Sequence, residues 1–126
     1  MGLSTGCSKI KTAVFISGTG SNLKSLIKFS KTNKSPISIE FVFSNNSKAR
    51  GLNYAKIFDI KKKVLNFKNK NLSEKKLLSA LKLNNIEMIC LAGFMKILTG
   101  NFIKKFKGKI FEGKNKVNLD GSINWL

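Results

Sequence analysis

One stretch near the start of the chain, Lys11 to Leu26, restricts what the rest can become: it reads KTAVFISGTGSNLKSL. Its apolar run lacks polar alternation, as expected of a strand buried on both faces inside a parallel sheet. Gly18 and Gly20 allow the chain to turn sharply and to bring bare backbone close to a ligand. Ser21 or Asn22 can cap the helix that follows. A helix start offers free amides and a positive dipole end, which suit a phosphate. The stretch therefore predicts a phosphate cradle at the carboxyl end of the first strand, with Gly20, Ser21 and Asn22 at its centre.

The pattern then repeats. Leu23, Leu26 and Ile27 form a helical stripe that Asn33 to Pro36 interrupts. Ile39 to Phe43 is a second strand, and Ser47 can cap a helix with Leu52, Ala55 and Phe58 facing inward. A short third strand is expected over Lys63 to Phe67, followed by a helix with Ser73 as its cap, Glu74 in its first turn and Leu77, Leu78 and Leu81 inside. Met88 to Ala92 is a fourth strand with Gly93-Phe94-Met95 as its exit. Thr99 can cap a last helix carrying Phe102, Ile103 and Phe106. Four strand-helix alternations predict an α/β fold, an open and mostly parallel sheet with helices on both faces. Ligands of such sheets bind beyond the carboxyl ends of the strands, here SGTGSN, FSNN and AGFMKIL. The expected organisation is a flexible extension over 1–10, the α/β domain over 11–110 and a tail over 111–126. Within the tail, VNLDGSINW alternates about Asp120-Gly121 and predicts a hairpin with a two-residue turn.

Composition narrows the function. At 126 residues the chain is one domain with 42% hydrophobic residues, and it contains no apolar run long enough to cross a membrane. The N-terminal MGLSTGCSKIK is too polar for a secretory signal, and Gly6 breaks the myristoylation pattern, so the cytoplasm is the expected location. Cys7 and Cys90 make neither a disulfide framework nor a metal spacing, and Cys90 is expected to be a buried thiol. The net charge of +18 invites a nucleic-acid reading, yet 23 of the 24 basic residues are lysines and only Arg50 is an arginine. Readers of bases and phosphates lean on arginine, so a nucleic-acid partner is not expected. Abundant Asn, Ile and Phe beside Lys point to biased codon usage and a solvated lysine surface.

The glycine turn is not a dinucleotide fingerprint, because Leu23 holds the third glycine position and Ser44-Asn45, not an acid, end the second strand. It is not a Walker loop, which needs Lys-Ser/Thr after the second glycine. A single phosphate remains as ligand, with a bare strand-to-helix turn as the alternative.

SGTGSNL, FVFSNNSKARGLNYA and ICLAGFMKIL, in this order over Thr12 to Ile110, resemble phosphoribosylglycinamide formyltransferase, a folate-dependent enzyme of purine synthesis. The resemblance implies a Rossmann-like fold and formyl transfer from 10-formyltetrahydrofolate to the amine of glycinamide ribonucleotide. It places the nucleotide phosphate on Gly20, Ser21 and Asn22, and the folate pterin against Met95, Lys96, Ile97 and Leu98. Many relatives carry Arg where Lys96 stands.

The likeness then stops. Relatives continue with an Asn-Ile-His-Pro-Ser-Leu motif and a later Asp, groups suited to polarising the formyl oxygen and moving protons from the attacking amine. This chain has no histidine, and FEGK follows Lys109-Ile110 in place of that motif. FEGKNKVNLDGSINWL is itself similar to the family's C-terminal tail, so the expectation is an N-terminal half joined directly to the last residues, a frameshift being the competing account. No catalytic residue is therefore assigned. The chain is expected to hold substrate without transforming it, and to expose a sheet edge that favours self-association. A phosphate-ligand module without chemistry is the alternative function.

Overall fold

The computed structural model describes residues 9–18, 21–94, 98–106, 108–113, 116–117 and 123–124. Strands and helices alternate as expected: β1 (Ile10–Ile16), α1 (Ser21–Ser30), β2 (Ile37–Ser44), α2 (Gly51–Ile57), β3 (Lys61–Val64), α3 (Lys70–Leu83), β4 (Met88–Ala92), α4 (Gly100–Lys105) and β5 (Lys109–Gly113). The five strands form one parallel sheet in the order β3-β2-β1-β4-β5. β5 carries the sheet past position 110 to Gly113, and among the described residues it has a single neighbour.

β1 lies at the centre, and Ala13, Val14, Phe15 and Ile16 are each 0% exposed. Its side chains divide two cores. Val14 and Ile16 pack with Leu23, Leu26 and Ile27 of α1 and Leu52 and Ala55 of α2. Ala13 and Phe15 pack with Leu77 and Leu81 of α3 and Phe102 of α4. Helices thus cover both faces, which a continuous apolar strand requires.

β2 serves both cores by a device the pattern hid. Its register against β1 shifts between Thr12 and Ala13, so Ile39 and Phe41 lie opposite consecutive residues and Glu40 is the extra one. A one-residue slip turns side chains to the other face. Ile37 and Ile39 accordingly face α1 and α2, whereas Phe41 and Phe43 face α3 and α4. Glu40 itself is exposed and accepts a hydrogen bond from the Ser38 hydroxyl.

Several boundaries differ from expectation, each for a local reason. β3 spans Lys61 to Val64 rather than Lys63 to Phe67: its lysines pair with Phe41 to Phe43 at the sheet margin, where exposed side chains cost nothing. Phe67 has left the sheet at φ 60° and is buried. α2 is not capped by Ser47, because Ala49 and Asn46 form a turn there and the cap position falls to Arg50. α3 begins a turn before Ser73, capped by Asn69, whose side chain accepts from Leu72 N at 3.1 Å. Thr99 caps α4 as expected, accepting from Phe102 N at 3.1 Å, but Ile103 faces outward at 51% exposure. α2 and α3 both end in Schellman turns with Asp59 and Asn85 left-handed, and Ile60 N and Ile86 N reach back to Ala55 O and Leu81 O.

In the tail, Lys116–Val117 and Ile123–Asn124 pair antiparallel, with Val117 opposite Ile123. A two-residue turn at Asp120-Gly121 would set Val117 opposite Asn124, so the pairing has a different register. The residues between the two segments lie outside the described residues, as do Met1–Ser8, including Cys7.

Two contacts hold the end of the sheet nearest β5. Glu74, 5% exposed on α3, accepts from Thr99 N at 2.9 Å and from the Thr99 hydroxyl at 2.6 Å, pinning the start of α4. A Cβ on Gly108 would stand 2.0 Å from Glu87 O, the carbonyl that accepts from Lys109 N. Cys90 is buried as expected, and burial pushes its thiol up to about 11.

Three outcomes follow, each measurable on purified protein. Glu74→Ala strands the Thr99 donors and should lower stability by about 2–3 kcal/mol in urea unfolding, with Glu74→Gln losing less; a change below about 0.5 kcal/mol for the alanine variant contradicts the clamp. Gly108→Ala must displace Glu87 O and should cost about 2–4 kcal/mol in the same assay. In a Cys7→Ser background at pH 8, Cys90 should resist an aromatic disulfide reagent until denaturant is added, since its thiol stays protonated and covered; rapid labelling of the native protein contradicts this.

Candidate functional site

The order β3-β2-β1-β4-β5 reverses direction between β1 and β4. Open α/β sheets bind ligands at such a reversal, outside the carboxyl ends of the strands. Phe15 pairs with Leu91, so the exits of β1 and β4 lie side by side. The ends of the two strands that precede the segments singled out in the sequence are therefore neighbours at the carboxyl edge of the sheet.

The first wall is the exit of β1. Ser17 Oγ donates to Asn45 Oδ1 at 2.5 Å, and Asn46 Nδ2 donates to Ser17 O at 3.4 Å, so the exits of β1 and β2 are cross-tied. Buried Ser44 shapes the second exit: its hydroxyl donates to Asn46 O and accepts from Asn46 N, both at 3.0 Å. Gly51 N then donates to Gly18 O at 3.1 Å, fastening the start of α2 to the same turn. Gly18 is not left-handed, and a Cβ there would meet nothing within 4 Å. The sharp-turn reason for a glycine thus does not hold at Gly18, and among the described residues nothing crowds the position. Ser21 and Asn22 are the first two residues of α1, while Gly20 and the side chains of Ser21 and Asn22 lie outside the described residues.

The second wall is the exit of β4. Gly93 takes φ 76°, a conformation that favours glycine, and turns the chain out of the sheet. Phe94 packs into a group of four rings with Phe15, Phe43 and Phe67, at centroid distances of 5.0 to 6.1 Å. Such pairs add about 0.5–1.5 kcal/mol each beyond area burial, and here they offset the strain of a left-handed Phe67. Met95, Lys96 and Ile97 lie outside the described residues. Leu98 is buried in the α3–α4 core, so its side chain is committed there. The β4 exit is thus anchored before residue 95 by Phe94 and after residue 97 by Leu98 and the Glu74–Thr99 clamp.

The residue pattern placed Asn46 in the FSNN exit but did not reveal the roles of Glu74 or Phe67; Glu74 carried a signal as one of six acidic residues in a lysine-rich chain. A cavity of about 880 Å3 opens at the opposite end of the sheet, between Ile10, Leu78, Met88 and Phe106. It does not meet the strand exits, so it is not the reaction crevice of such a fold. No helix among the described residues is long and apolar enough to cross a membrane.

Known proteins share this arrangement. A formyl transferase family model matches residues 10–112. Phosphoribosylglycinamide formyltransferase of Haemophilus influenzae is 39% identical over 103 residues, 79% of this chain and 49% of that protein. The human trifunctional purine biosynthetic protein adenosine-3 is 39% identical over 105 residues, 81% of this chain and 10% of that protein. Among solved structures, phosphoribosylglycinamide formyltransferase of Brucella melitensis superposes with a TM-score of 0.79 at 34% identity, covering 89% of this chain and 60% of the other. The chain thus spans about half the length of its single-function curated relatives. With motif order, sheet order and match range in agreement, the chain belongs to the formyl transferase family, on the phosphoribosylglycinamide formyltransferase branch.

Proposed function

We propose that this chain is a cytoplasmic substrate-binding half of a phosphoribosylglycinamide formyltransferase. It holds glycinamide ribonucleotide by its phosphate at Gly20, Ser21 and Asn22. Met95, Lys96, Ile97 and Leu98 face the pterin of 10-formyltetrahydrofolate, with Leu98 acting through its backbone. The observation that supports this reading is the β1–β4 pairing, which sets the ends of these two strands side by side where the strand order reverses.

The chemistry divides between what these residues supply and what they do not. A phosphate at the start of α1 finds amide donors and the positive end of a ten-residue helix. An anchored β4 exit holds the formyl donor beside it, which favours reaction by proximity. Attack of the substrate amine on the formyl carbon also requires a donor for the developing oxyanion and a group to remove the amine proton. The chain has no histidine, and no carboxylate stands in a matching motif. Binding without turnover by the chain alone is therefore the expected behaviour. The same observation favours the second reading, a phosphate-ligand module with no chemistry. The two readings separate on the donor, because only the first requires a folate subsite. The margin of β5 that has no partner strand among the described residues is the surface through which self-association would proceed.

Calorimetry with glycinamide ribonucleotide and with a stable folate analogue, beside a formyl-transfer assay, tests the reading. Saturable binding of both ligands and no measurable turnover are expected, and Ser21→Asp should weaken ribonucleotide binding at least about tenfold by setting a like charge against the phosphate. Turnover comparable to that of a full-length relative contradicts the catalytic part. Absence of ribonucleotide binding contradicts the whole, and ribonucleotide binding without folate binding leaves only the phosphate module.

A further inference from the structure

The cavity at the amino ends of the strands has no part in the function proposed above. Its volume of about 880 Å3 is that of a site for a small molecule. It lies between α3 and the turn that joins α4 to β5, and the starts of β1 and β4 also line it.

Its walls are fixed in place. A Cβ on Gly108 would stand 2.0 Å from Glu87 O and 2.7 Å from the Phe106 ring, so the α4–β5 turn is seated closely on the residue that leads into β4. Lys109 N donates to Glu87 O at 3.1 Å, and Glu87 N donates to Lys11 O at 2.8 Å, which ties the same residue to β1. The opposite wall is one face of α3, where Lys75, Leu78, Ser79 and Lys82 recur at helical spacing.

Two kinds of side chain line the space. Ile10, Leu78, Ile86, Met88 and Phe106 make an apolar wall with a single ring, and Ile10 stays 40% exposed there. Lys75, Lys82, Lys105 and Lys109 reach the cavity from α3, α4 and β5, against one lining carboxylate among the described residues, Glu87. Lysine frequency alone does not produce this. A second cavity of about 500 Å3 on the other side of the sheet's amino end balances Lys11, Lys31 and Lys61 with Glu40 and Asp59.

We propose that this cavity binds a medium-chain fatty acid, with its alkyl chain on the apolar wall and its carboxylate among the lysines. This is independent of the ribonucleotide reading. An aliphatic wall suits a chain better than an aromatic body, which gains most from ring partners. A neutral lipid would leave the cluster of ammonium groups without a counter-charge, and a wholly polar metabolite would leave the apolar wall wet. Lysine stems can extend the apolar surface while their charges stay in water, so the carboxylate is met at the rim without burial of an ion pair. From Lys75 to Lys82 the α3 wall runs about 10 Å, the length of an extended chain of about eight to ten carbons.

Calorimetry on the full chain with hexanoate, octanoate and decanoate, each below its micellar range, tests the proposal. Decyltrimethylammonium serves as a cation with the same tail. One-to-one binding is expected, strengthening about tenfold for each two carbons added, as burial of methylenes requires. The cation should bind at least about tenfold more weakly than decanoate. Ser79→Trp places a large ring in the cavity from an exposed position and should abolish decanoate binding. The pair Lys82→Glu and Lys105→Glu should weaken it at least about tenfold, whereas Lys28→Glu with Lys56→Glu, on the helices of the opposite face, should change it less than about twofold. Thermal melts establish that each variant is folded. Affinity independent of chain length, or an equal loss in both charge-reversed pairs, reduces the effect to general attraction by lysine and overturns the proposal. Decanoate binding that persists in Ser79→Trp puts the ligand elsewhere and overturns it too. A wild type that binds no decanoate also overturns it, and if that protein sediments as a dimer which Ser79→Trp dissociates, the occupant is a second copy of the chain.

Discussion

The double burial of β1 is the constraint on which the rest depends. Four consecutive residues, Ala13 to Ile16, are fully removed from water, and they can be so only if helices close both faces of the sheet. Each face then has its own requirements. The α1–α2 side is closed by small and aliphatic residues such as Leu23, Ala55 and Val42. The α3–α4 side takes most of the aromatic volume, with Phe15, Phe41, Phe43, Phe67, Phe102 and Phe106. One inserted residue, Glu40, lets β2 contribute to both.

The same strand positions the site. Because β2 and β4 flank β1 in parallel, their exits and its own are brought to one end of the sheet. Polar contacts then set the details. Ser17, Asn45 and Asn46 tie the β1 and β2 exits, and Gly51 ties α2 to Gly18. On the other wall the restraint is different in kind: an aromatic group before the loop and a buried carboxylate after it. Glu74 sits in the protein interior without a cation among the described residues, held by two Thr99 donors at the start of α4, where the helix dipole favours negative charge.

Much of this was legible in the sequence, and the reasons for success and failure are physical. β4 was read at its observed bounds because MICLA is a short apolar run between clear breaks. The faces of α1 and α3 followed from the spacing of Leu23, Leu26 and Ile27 and of Leu77 and Leu81, since helical periodicity records which side is buried. β3 was displaced because its lysines carry no apolar signal, while Leu65 and Phe67 carry one for another purpose. Caps were misplaced where several candidates lie close together: Ser73 was chosen over Asn69, and Ser47 over Arg50, a position with no side-chain cap. The Glu40 bulge and the Glu74–Thr99 clamp could not be read at all. Each depends on a partner 25 or more residues away, or on a register that alternation does not encode. At the strand exits, the commitment of Leu98 to the core could be read only from the fold.

The central claim is that one crevice, at the carboxyl ends of β1, β2 and β4, receives the ribonucleotide. Amide chemical-shift mapping of the isotope-labelled chain during titration with glycinamide ribonucleotide tests it most directly. The account predicts saturable shifts confined to the exits of these strands and the first turn of α1, including Ser17, Gly18, Asn45 and Gly93. Shifts concentrated instead at the amino ends, around Ile10, Glu87 and Gly108, or spread evenly over the lysine surface, would contradict it.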